Sequence, residues 1–384
     1  MARLGDIATV ITKGTTPTSI GFAFENDGIN FVKIESVDEN GNFICEKFDH
    51  ISDECHEKLK RSQLQENDIL FSIAGAIGRT AIVTKDILPA NTNQALAIIR
   101  IPQGAINYSF LLYILQSSVV LEQAEKKKQG VAQLNLSLKD IGDFIIPDIP
   151  LEEQQCIVDS LDKVSNLISL RKQQLSKLDE LIKSRFIELF GDNVPTAKLG
   201  DVCRMINGDR GKNYPSGDDF VENGVPFVNA GHLQNRKVDF CDMNYITEEK
   251  FNLLSQGKMQ AGDILYCLRG SLGKHGLVDF ERGAVASSLV ILRCNQEQVL
   301  PQFLLHALET PEIELQLKAA NNGSSQPNLS AASVKAYDIK LPTIEQQKQF
   351  VSFVEQTDKS KFEIQKSLEK LETLKKALMQ KYFG

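Results

Sequence analysis

The amino-acid sequence contains the same pattern twice, and this repetition limits the possible folds more than any other feature. The segment 4–7 (LGDI) returns as 199–202 (LGDV), and the segment 67–83 returns as 262–278. The matches keep their order along the chain, and their spacing drifts by only a few residues. Because an internal repeat of this kind marks a duplicated structural unit, we expect two copies of one fold within the 384 residues.

Each copy ends in a segment that is typical of one long helix, 150–191 in the first and 342–384 in the second. Both segments begin with Pro-x-x-Glu-Gln-Gln and end with Phe-Gly. Proline suits the first position of a helix, and glycine suits the position just after the last one. Thr343 and Gln346 also have the spacing of a capping box. At ~1.5 Å per residue, each helix would be on the order of 60 Å long.

Apolar residues recur along both helices at the seven-residue spacing of a coiled-coil seam. The seam residues are Leu161, Ile168, Leu175, Ile182 and Leu189 in the first helix, and Phe350, Ile364, Leu371 and Leu378 in the second. Lys361 and Lys375 interrupt the row beside the second seam, and we interpret them as long stems along the seam whose charged ends stay in water. The order of the segments predicts that the second helix returns along the first, antiparallel to it.

The sequence therefore predicts an α+β fold. Two duplicated mixed α/β domains, 1–149 and 192–341, would be separated by an antiparallel coiled coil of two long helices, 150–191 and 342–384. Short apolar segments bounded by glycine or charge, such as DILFSIAG and DILYCLRG, predict strands. The segments 108–123 and 302–317 predict helices.

Composition and charge narrow the class of protein. The sequence is 42% hydrophobic, shows no apolar run of transmembrane length and does not start with a signal-peptide core. Its seven cysteines include no Cys-x-x-Cys pair, and their odd number does not suggest a disulfide framework, so we expect a cytoplasmic protein without a membrane partner. The net charge is −7, so any contact with DNA must come from clustered Lys and Arg, and the chain alone should bind DNA weakly.

Two glycine turns resemble a phosphate-binding loop only superficially. The segments 75–80 (GAIGRT) and 270–275 (GSLGKH) have two residues between their glycines, where a phosphate-binding loop has four, and an apolar strand follows instead of a helix. A tight turn between strands is favoured. Arg79 and Lys274, at the tips of these turns, remain candidates for contact with a DNA phosphate.

The residue types needed for catalysis or metal binding do not assemble into a known pattern. Cys45, His50, Cys55 and His56 lie close together, but their spacing fits no common zinc site and the second copy has no counterpart. The sequence has no nucleophile elbow, no dinucleotide-binding glycine motif and no Asn/Asp-Pro-Pro-aromatic tetrad. We predict neither a metal site nor a catalytic site.

Polar loops at equivalent places in both copies are the candidate binding site. Lys and Arg bind phosphates, Asn and Gln pair with adenine, and Arg pairs with guanine. The candidates in the first copy are Lys13, Thr15, Thr16, Arg79, Asn91, Asn93, Gln94, Lys126, Lys127, Lys128 and Gln133. Those in the second copy are Asn207, Arg210, Lys212, Asn213, Tyr214, His232, Asn235, Arg236, Lys274, Asn321, Asn322 and Gln326. For any single residue, the alternative is an ordinary solvated loop.

Over essentially its whole length, the chain resembles the specificity (S) subunits of type I restriction–modification enzymes. The resemblance is carried by the Leu-Gly-Asp starts, the Asp-Ile-Leu strands, the segment 208–215 (GDRGKNYP) and the Pro-x-x-Glu-Gln-Gln helices, together with the duplication. In 12–17 (TKGTTP) the first copy departs from the longer loop of the second, so residue roles transfer poorly between the copies.

The resemblance implies a function in the recognition of double-stranded DNA. Each domain would read one half of a split, asymmetric site, and the helices would set the unread spacer between the halves. The partners would be two methyltransferase (M) subunits and restriction (R) subunits. S-adenosylmethionine would be used by M, and ATP with Mg²⁺ by R, so the chain itself would carry no cofactor and no activity. Two other functions stay open from the residues alone, namely a scaffold that binds only proteins and a methyltransferase in its own right.

Overall fold

A computed structural model describes residues 1–127, 135–191, 194–321 and 328–384. The chain forms two compact units: the first consists of Met1–Lys172 with Lys366–Gly384, and the second of Gln173–Gln365. Each unit therefore contains one copy of the repeated globular part and a segment of each long helix.

The first unit is built on short, mostly antiparallel sheets. Its strands are β1 (Ala2–Arg3), β2 (Val10–Lys13), β3 (Ile29–Val32), β4 (Asp49–Ile51), β5 (Ile69–Ser72), β6 (Thr80–Ile82), β7 (Ala90–Thr92), β8 (Leu96–Arg100) and β9 (Ile145–Ile146). The main sheet has the order β2-β8-β5-β6, a second has the order β4-β3-β7, and β1 pairs with β9. Its helices are α1 (Leu4–Ile7), α2 (Asp53–Lys58), α3 (Tyr108–Leu115), α4 (Ser118–Lys127), α5 (Leu138–Gly142) and the start of α6 (Leu151–Phe190).

The second unit repeats this plan with additional strands. Its strands are β10 (Thr196–Lys198), β11 (Cys203–Asn207), β12 (Phe220–Val221), β13 (Val225–Val228), β14 (Leu233–Gln234), β15 (Arg236–Val238), β16 (Asn244–Ile246), β17 (Lys258–Gln260), β18 (Ile264–Cys267), β19 (His275–Leu277), β20 (Arg282–Val285), β21 (Leu289–Cys294) and β22 (Asp338–Lys340). Its helices are α7 (Leu199–Val202), α8 (Glu248–Leu253), α9 (Pro301–Ala307), α10 (Pro311–Ala320), α11 (Ala331–Lys335) and part of α12 (Ile344–Phe383). The main sheet, β11-β21-β18-β19-β15-β14, contains a β14–β15 hairpin beyond the four strands of its counterpart.

The same buried ion pair recurs at the same place in both main sheets. Arg100 Nε donates to Asp68 Oδ1 over 2.7 Å, and Arg293 Nε donates to Asp263 Oδ1 over 2.8 Å. Both carboxylates are almost completely buried. The hydrogen bond and charge of each Asp raise the pKa of its arginine. The duplication predicted from the sequence thus extends to individual side-chain bonds, and the predicted α+β fold class is confirmed.

Both long helices lie within one residue or two of their predicted bounds. Helix α6 begins at Leu151, one residue after Pro150, and ends at Phe190, where the Gly191 N–H bonds the Ile187 carbonyl over 2.7 Å. Helix α12 begins after Thr343, whose N–H bonds Gln346 Oε1 while the Gln346 N–H bonds Thr343 Oγ1. The predicted capping box is therefore confirmed.

Within each unit, the α6 segment and the α12 segment run antiparallel. In the second unit, Phe186 packs against Phe350 with ring centroids 5.3 Å apart, while the earlier Asp179 bonds the later Lys361. In the first unit, Leu161 and Phe383 lie in one apolar core. Leu161, Ile182 and Phe350 are fully buried, and the other predicted seam residues are half-buried, namely Ile168, Leu175, Leu189, Ile364, Leu371 and Leu378.

Our interpretation of the two seam lysines was wrong. Lys361 Nζ bonds Asp179 Oδ1 over 2.6 Å, so its charge is paired rather than free in water. Lys375 Nζ lies 5.8 Å from the centroid of the Tyr113 ring, and burial together with nearby Lys172 lowers its pKa. Lys361 thus pairs with the other long helix and Lys375 lies against α3, and neither contact can be read from the pattern of one helix.

The two helices predicted in the globular parts are each broken into two. The segment 108–123 forms α3 and α4, and 302–317 lies within α9 and α10. In the second unit, Pro311 starts the new helix, because its ring has no N–H and clashes with a preceding turn. The first unit breaks at the same place without a proline, so the packing shared by both units sets the bend.

Candidate nucleic-acid interface

In both units, a polar loop leaves the main sheet beside the same neighbouring loop. Gly14 follows β2, and a Cβ at this position would lie 1.9 Å from the Thr92 carbonyl oxygen. Gly208 follows β11, and a Cβ there would lie 2.6 Å from the Ala286 carbonyl oxygen. Only glycine permits so close an approach of two backbones. Each glycine therefore holds the loop that follows it at a fixed place on the sheet edge.

In the first unit, this loop is closed by neutral polar contacts. The Thr15 N–H bonds the Thr92 carbonyl over 3.1 Å, and Thr16 Oγ1 bonds Gln94 Oε1. Asn93 Oδ1 accepts the Ala95 N–H over 3.1 Å. Lys13, at the end of β2, is exposed beside them. These residues place hydroxyl, amide and ammonium groups on one edge.

In the second unit, a buried carboxylate anchors the equivalent loop. Asp209 is 5% exposed, and it accepts the Arg210 N–H, the Ser255 N–H and the Ser255 hydroxyl over 2.7, 2.7 and 2.9 Å. Burial raises the pKa of Asp209, but the hydrogen bonds from Ser255 and Arg210 outweigh it and lower the pKa below its ordinary value. Asp209 is not among the residues predicted from the sequence, although an acid between glycine and arginine in a loop is typical of such an anchor.

The anchored loop presents several of the predicted residues together. Arg210 is exposed, and its Nη2 lies 3.4 Å from the Ser287 carbonyl oxygen. Lys212 is exposed, whereas Asn207 and Asn213 are half-buried. Tyr214 packs edge-on against Phe227, with ring centroids 5.7 Å apart, and ties the end of the loop to strand β13.

The two glycine turns connect strands, as predicted, but the basic side chains that follow their second glycines have different surroundings. Arg79 Nη1 donates to the carbonyl oxygens of Val37 and Ile34 over 3.1 and 3.4 Å. Arg79 therefore closes a loop of its own unit. Lys274, at the equivalent place in the second unit, is half-buried.

A residue that sequence analysis missed stands at the start of the second turn. Arg269 is exposed, and its Nε donates to Asn328 Oδ1 over 3.3 Å. In the first unit, Ala74 occupies the equivalent place, since Ala74 bridges to Asn135 as Arg269 bridges to Asn328. The single available signal was the departure from the repeat at this position, Ala-Gly against Arg-Gly.

Two predicted residues are buried and support the fold instead. Asn91 is 0% exposed, and its Nδ2 donates to the Leu59 carbonyl and to the Ser62 hydroxyl. His232 is 6% exposed, and its Nδ1 accepts the Asn229 N–H over 3.1 Å. Since the polar atoms of both side chains bond their own unit, neither presents a base-reading group at the surface of this structure.

The β14–β15 hairpin carries two further candidates with opposite environments. Asn235 is exposed at the turn, whereas Arg236 is held by Glu309 through two bonds of 2.8 and 2.7 Å. Burial raises the pKa of Glu309, but the hydrogen bond and charge of Arg236 lower it below its ordinary value. Burial, with the nearby Arg236 charge, lowers the pKa of His306 to about 3. These residues line a cleft of about 1250 Å³ within the second unit.

The remaining candidates lie on the segment after α3 and its equivalent. Lys126 is exposed, and Lys127 Nζ lies 3.8 Å from Asp143 Oδ2. Asn321 is half-buried, directly after α10. Lys128, Gln133, Asn322 and Gln326 lie outside the described residues.

Metal ligation and membrane insertion find no support in the part of the chain that the structure describes. Within 1–127, 135–191, 194–321 and 328–384, His, Cys, Asp and Glu form no group of three or more that could hold a metal ion. No helix in these ranges is long and apolar enough to cross a membrane. What the loops offer is a set of hydrogen-bond donors and acceptors at one edge of each sheet, suited to non-covalent recognition of a polar ligand.

Comparison with known proteins assigns both halves of the chain to one family. The family model for the type I restriction modification DNA specificity domain matches residues 1–180 and again 192–376. The specificity subunit of the type I restriction enzyme EcoBI from Escherichia coli is 31% identical over 189 residues, which cover 48% of this chain and only 39% of that subunit. The MjaVIII specificity subunit from Methanocaldococcus jannaschii is 23% identical over 338 residues, 82% of this chain and 78% of that subunit.

Solved structures show the same fold. A chain from a structural study of complex assembly and conformational transition in a type I R-M system matches with a TM-score of 0.62 and 20% identity, covering 100% of this chain and 96% of that one. The S subunit of a type I restriction-modification system from M. genitalium matches with a TM-score of 0.55 and 15% identity, covering 100% and 95%.

Proposed function

Because the chain belongs to the family of type I restriction modification DNA specificity domains, we propose that it is the DNA-recognition subunit of a type I restriction–modification complex. In this proposal, each unit reads one half of a bipartite, asymmetric site on double-stranded DNA. The curated relatives named above are specificity subunits of type I restriction enzymes, which supports the assignment.

One observation carries the proposal: the two units share a scaffold but differ in the side chains on its loops. The glycines Gly14 and Gly208 fix equivalent loops, yet the first presents Thr16 where the second presents Arg210. Phosphate contacts position a protein on DNA, whereas different side chains at the bases specify different sequences. A repeated scaffold with diverged loops is what two unlike half-sites require.

The chemistry in this proposal belongs to partner subunits. The chain binds no cofactor and is not catalytic. Two methyltransferase subunits use S-adenosylmethionine to methylate adenine, and restriction subunits use ATP and Mg²⁺ for translocation and cleavage. Exposed apolar side chains on the long helices, such as Leu170 at 53% and Phe362 at 65%, support docking of protein partners there.

An exchange of domains tests the recognition function. Residues 1–149 would be replaced by the corresponding domain of another specificity subunit, and methylated adenines would be mapped across the genome of a host expressing the complex. We expect one half of the methylated site to change and the other half to stay the same. The reciprocal exchange of residues 192–341 is the matched control and should change the other half. A change in both halves, or in neither, would contradict the proposal.

The long helices set the unread spacer in this proposal. Four residues inserted after Gln174, together with four near Lys366, add ~6 Å along the helix axis. This is close to two base pairs at ~3.4 Å each, so the methylated site should gain about two spacer base pairs. An insertion of one or two residues is the contrasting variant, because it turns the seam away from its partner helix and should disrupt assembly. An active complex with an unchanged spacer would show that the helices do not set it.

A further inference from the structure

The second unit carries two exposed arginines on neighbouring loops of its main sheet, and the first unit carries neither. Arg210 follows β11 and Arg269 follows β18, while Thr16 and Ala74 hold the equivalent positions. We call Arg210 and Arg269 the arginine pair.

The sheet places the two arginines on one edge. Strands β11 and β18 both pair antiparallel with β21, so they run in the same direction and their ends lie on the same side. Adjacent strands are ~4.8 Å apart, so the two loops start roughly 10 Å from each other. The backbone next to Arg269 is held to the segment just before β21, since the Leu268 N–H donates to the Ser288 carbonyl over 2.8 Å.

Both side chains are positioned by weak contacts and remain exposed. Arg210 Nη2 lies 3.4 Å from the Ser287 carbonyl, and Arg269 Nε lies 3.3 Å from Asn328 Oδ1. Both bonds are long, and both have neutral acceptors. Arg236 in the same unit is instead fixed by a carboxylate, Glu309, over 2.8 and 2.7 Å. The arginine pair therefore keeps its charge available for an anionic or strongly accepting ligand.

The geometry points to the arginine pair as a guanine-reading subsite of the second unit. This inference rests on the proposed function and adds the base type to it. Arg donates two parallel N–H groups to O6 and N7 of guanine in the major groove, which is the commonest specific contact of proteins with DNA. The strand ends that carry the arginine pair lie roughly 10 Å apart, which corresponds to about three base pairs at ~3.4 Å each.

The half-site read by the second unit should accordingly contain guanines within about three base pairs of one another. The first unit cannot make these contacts at its equivalent positions. Thr16 has one hydroxyl, which bonds Gln94, and Ala74 has no polar atom. The two half-sites should therefore differ in guanine at these positions, even though the scaffolds match.

The test uses the full chain in complex with its methyltransferase partner. Arg269→Ala and Arg210→Ala would be expressed separately, and methylated sites would be mapped across the host genome. We expect each variant to accept other bases at one guanine of the second half-site, with a roughly 10- to 100-fold loss of discrimination. The first half-site should stay unchanged, which also shows that the complex is assembled.

Lysine variants separate base reading from phosphate binding. Arg269→Lys keeps the charge but loses the planar, two-pronged donor, so guanine reading should be lost as in Arg269→Ala. A phosphate contact would survive in Arg269→Lys, and Arg269→Ala would then weaken binding to all sequences equally and reduce the salt dependence. That outcome would overturn the inference.

Arg282→Ala is the matched control, because Arg282 is an exposed arginine of the same unit that is paired with Glu248. It should leave both half-sites unchanged. A wild-type complex that methylates a bipartite site without guanine in the second half would also overturn the inference while leaving the proposed function intact. If the wild-type complex methylates no bipartite site at all, the proposed function itself fails.

Discussion

In the first unit, Gln154 Oε1 at the start of α6 accepts the Asn107 N–H ahead of α3, and its Nε2 donates to the Ile149 carbonyl ahead of α6 itself. In the second unit, Gln347 of α12 makes the equivalent bonds, accepting the Leu300 N–H ahead of α9 and donating to the Pro342 carbonyl ahead of α12. The buried Asp–Arg pairs repeat in the same way. These groups face inward, where an unpaired polar atom is costly, so both copies keep them. The loops face solvent, where a change of side chain costs little stability, and there the copies differ. Inward bonds thus define the scaffold and outward residues define what it can bind.

The apolar contacts of the helices also differ between the units. In the second unit, four aromatic rings pack together, namely Phe186, Phe190, Phe303 and Phe350. In the first unit, the equivalent places hold Met379, Phe383, Phe110 and Ile157. Aromatic side chains bury more area than aliphatic ones and gain from edge-to-face contact. The helix segments of the second unit should therefore be attached more strongly.

The largest expected difference in stability between the units follows from removing the ring of Phe350, which contacts the other three rings of this cluster. Phe350→Ala should lower the free energy of unfolding of the second unit by about 3–5 kcal/mol, because the ring is fully buried. Ile157→Ala in the first unit should cost less, toward the low end of about 2–5 kcal/mol. Urea unfolding followed by hydrogen exchange with mass spectrometry would assign each loss to its unit. An equal loss for Ile157→Ala would contradict the comparison.

A smaller difference concerns the two lysines of α12. Lys361 has an anionic partner, Asp179, whereas Lys375 lies near Lys172 and the Tyr113 ring. Lys375→Ile should stabilise the first unit by about 1 kcal/mol, since it removes a half-buried charge without a bonded anion. Lys361→Ile should change the second unit by less than about 0.5 kcal/mol, because the lost ion pair is partly exposed and offsets the apolar gain.

The stability of the first unit should depend on pH through Lys375, and the direction of its pKa shift fixes the sign of this dependence. Burial lowers the pKa of Lys375 below the ordinary 10.5 of the unfolded chain. Below the folded pKa, the cost of burying the charge is fully present. As the pH rises from the folded pKa toward 10.5, the unfolded chain holds more protons, so the stability of the first unit rises. Buried Cys55 and Tyr113 of the same unit, whose pKa values are raised by burial, add a slope of opposite sign, but they do so equally in the wild type and in Lys375→Ile. The stability of the wild type should therefore rise relative to that of Lys375→Ile as the pH increases toward about 9.5. Equal slopes in the two proteins would contradict the prediction.

The smallest expected effect on stability comes from a substitution in the first unit that should change the DNA sequence this unit reads. Ala74→Arg would place an arginine in the first unit where Arg269 stands in the second. Because Ala74 is half-buried at a turn, we expect a change of stability within about 0.5 kcal/mol. Methylome mapping should show an altered first half-site and an unchanged second one. Ala74→Met is the uncharged control, because its side chain is long but carries no hydrogen-bond donor. An effect of Ala74→Arg on the second half-site would argue against the equivalence of the two positions.

Much of the fold was predictable because its determinants are local. The long helices carry their own caps and their own seven-residue pattern, so their bounds were predicted within one or two residues. The α3–α4 and α9–α10 helices were each predicted as one, since the bend that separates them depends on packing against the sheet. The sequence predicted the candidate site as a set of loops, and this stays a prediction. The sequence did not separate buried from exposed members of the set, because Asn91 and His232 have the polarity of surface residues but fill buried positions.

The sequence by itself determined that this chain is a duplication with two long, capped helices, because repetition, periodicity and capping are properties of neighbouring residues. Only the tertiary structure decided which polar side chains face outward. Arg210 and Arg269 are exposed, whereas Arg79 and Arg236 bond groups of their own unit. The physical reason is that burial and pairing depend on residues far apart in the chain. A guanidinium stays available to a ligand where its bonds to the protein are few and long, and not where a carboxylate or two carbonyl groups hold it.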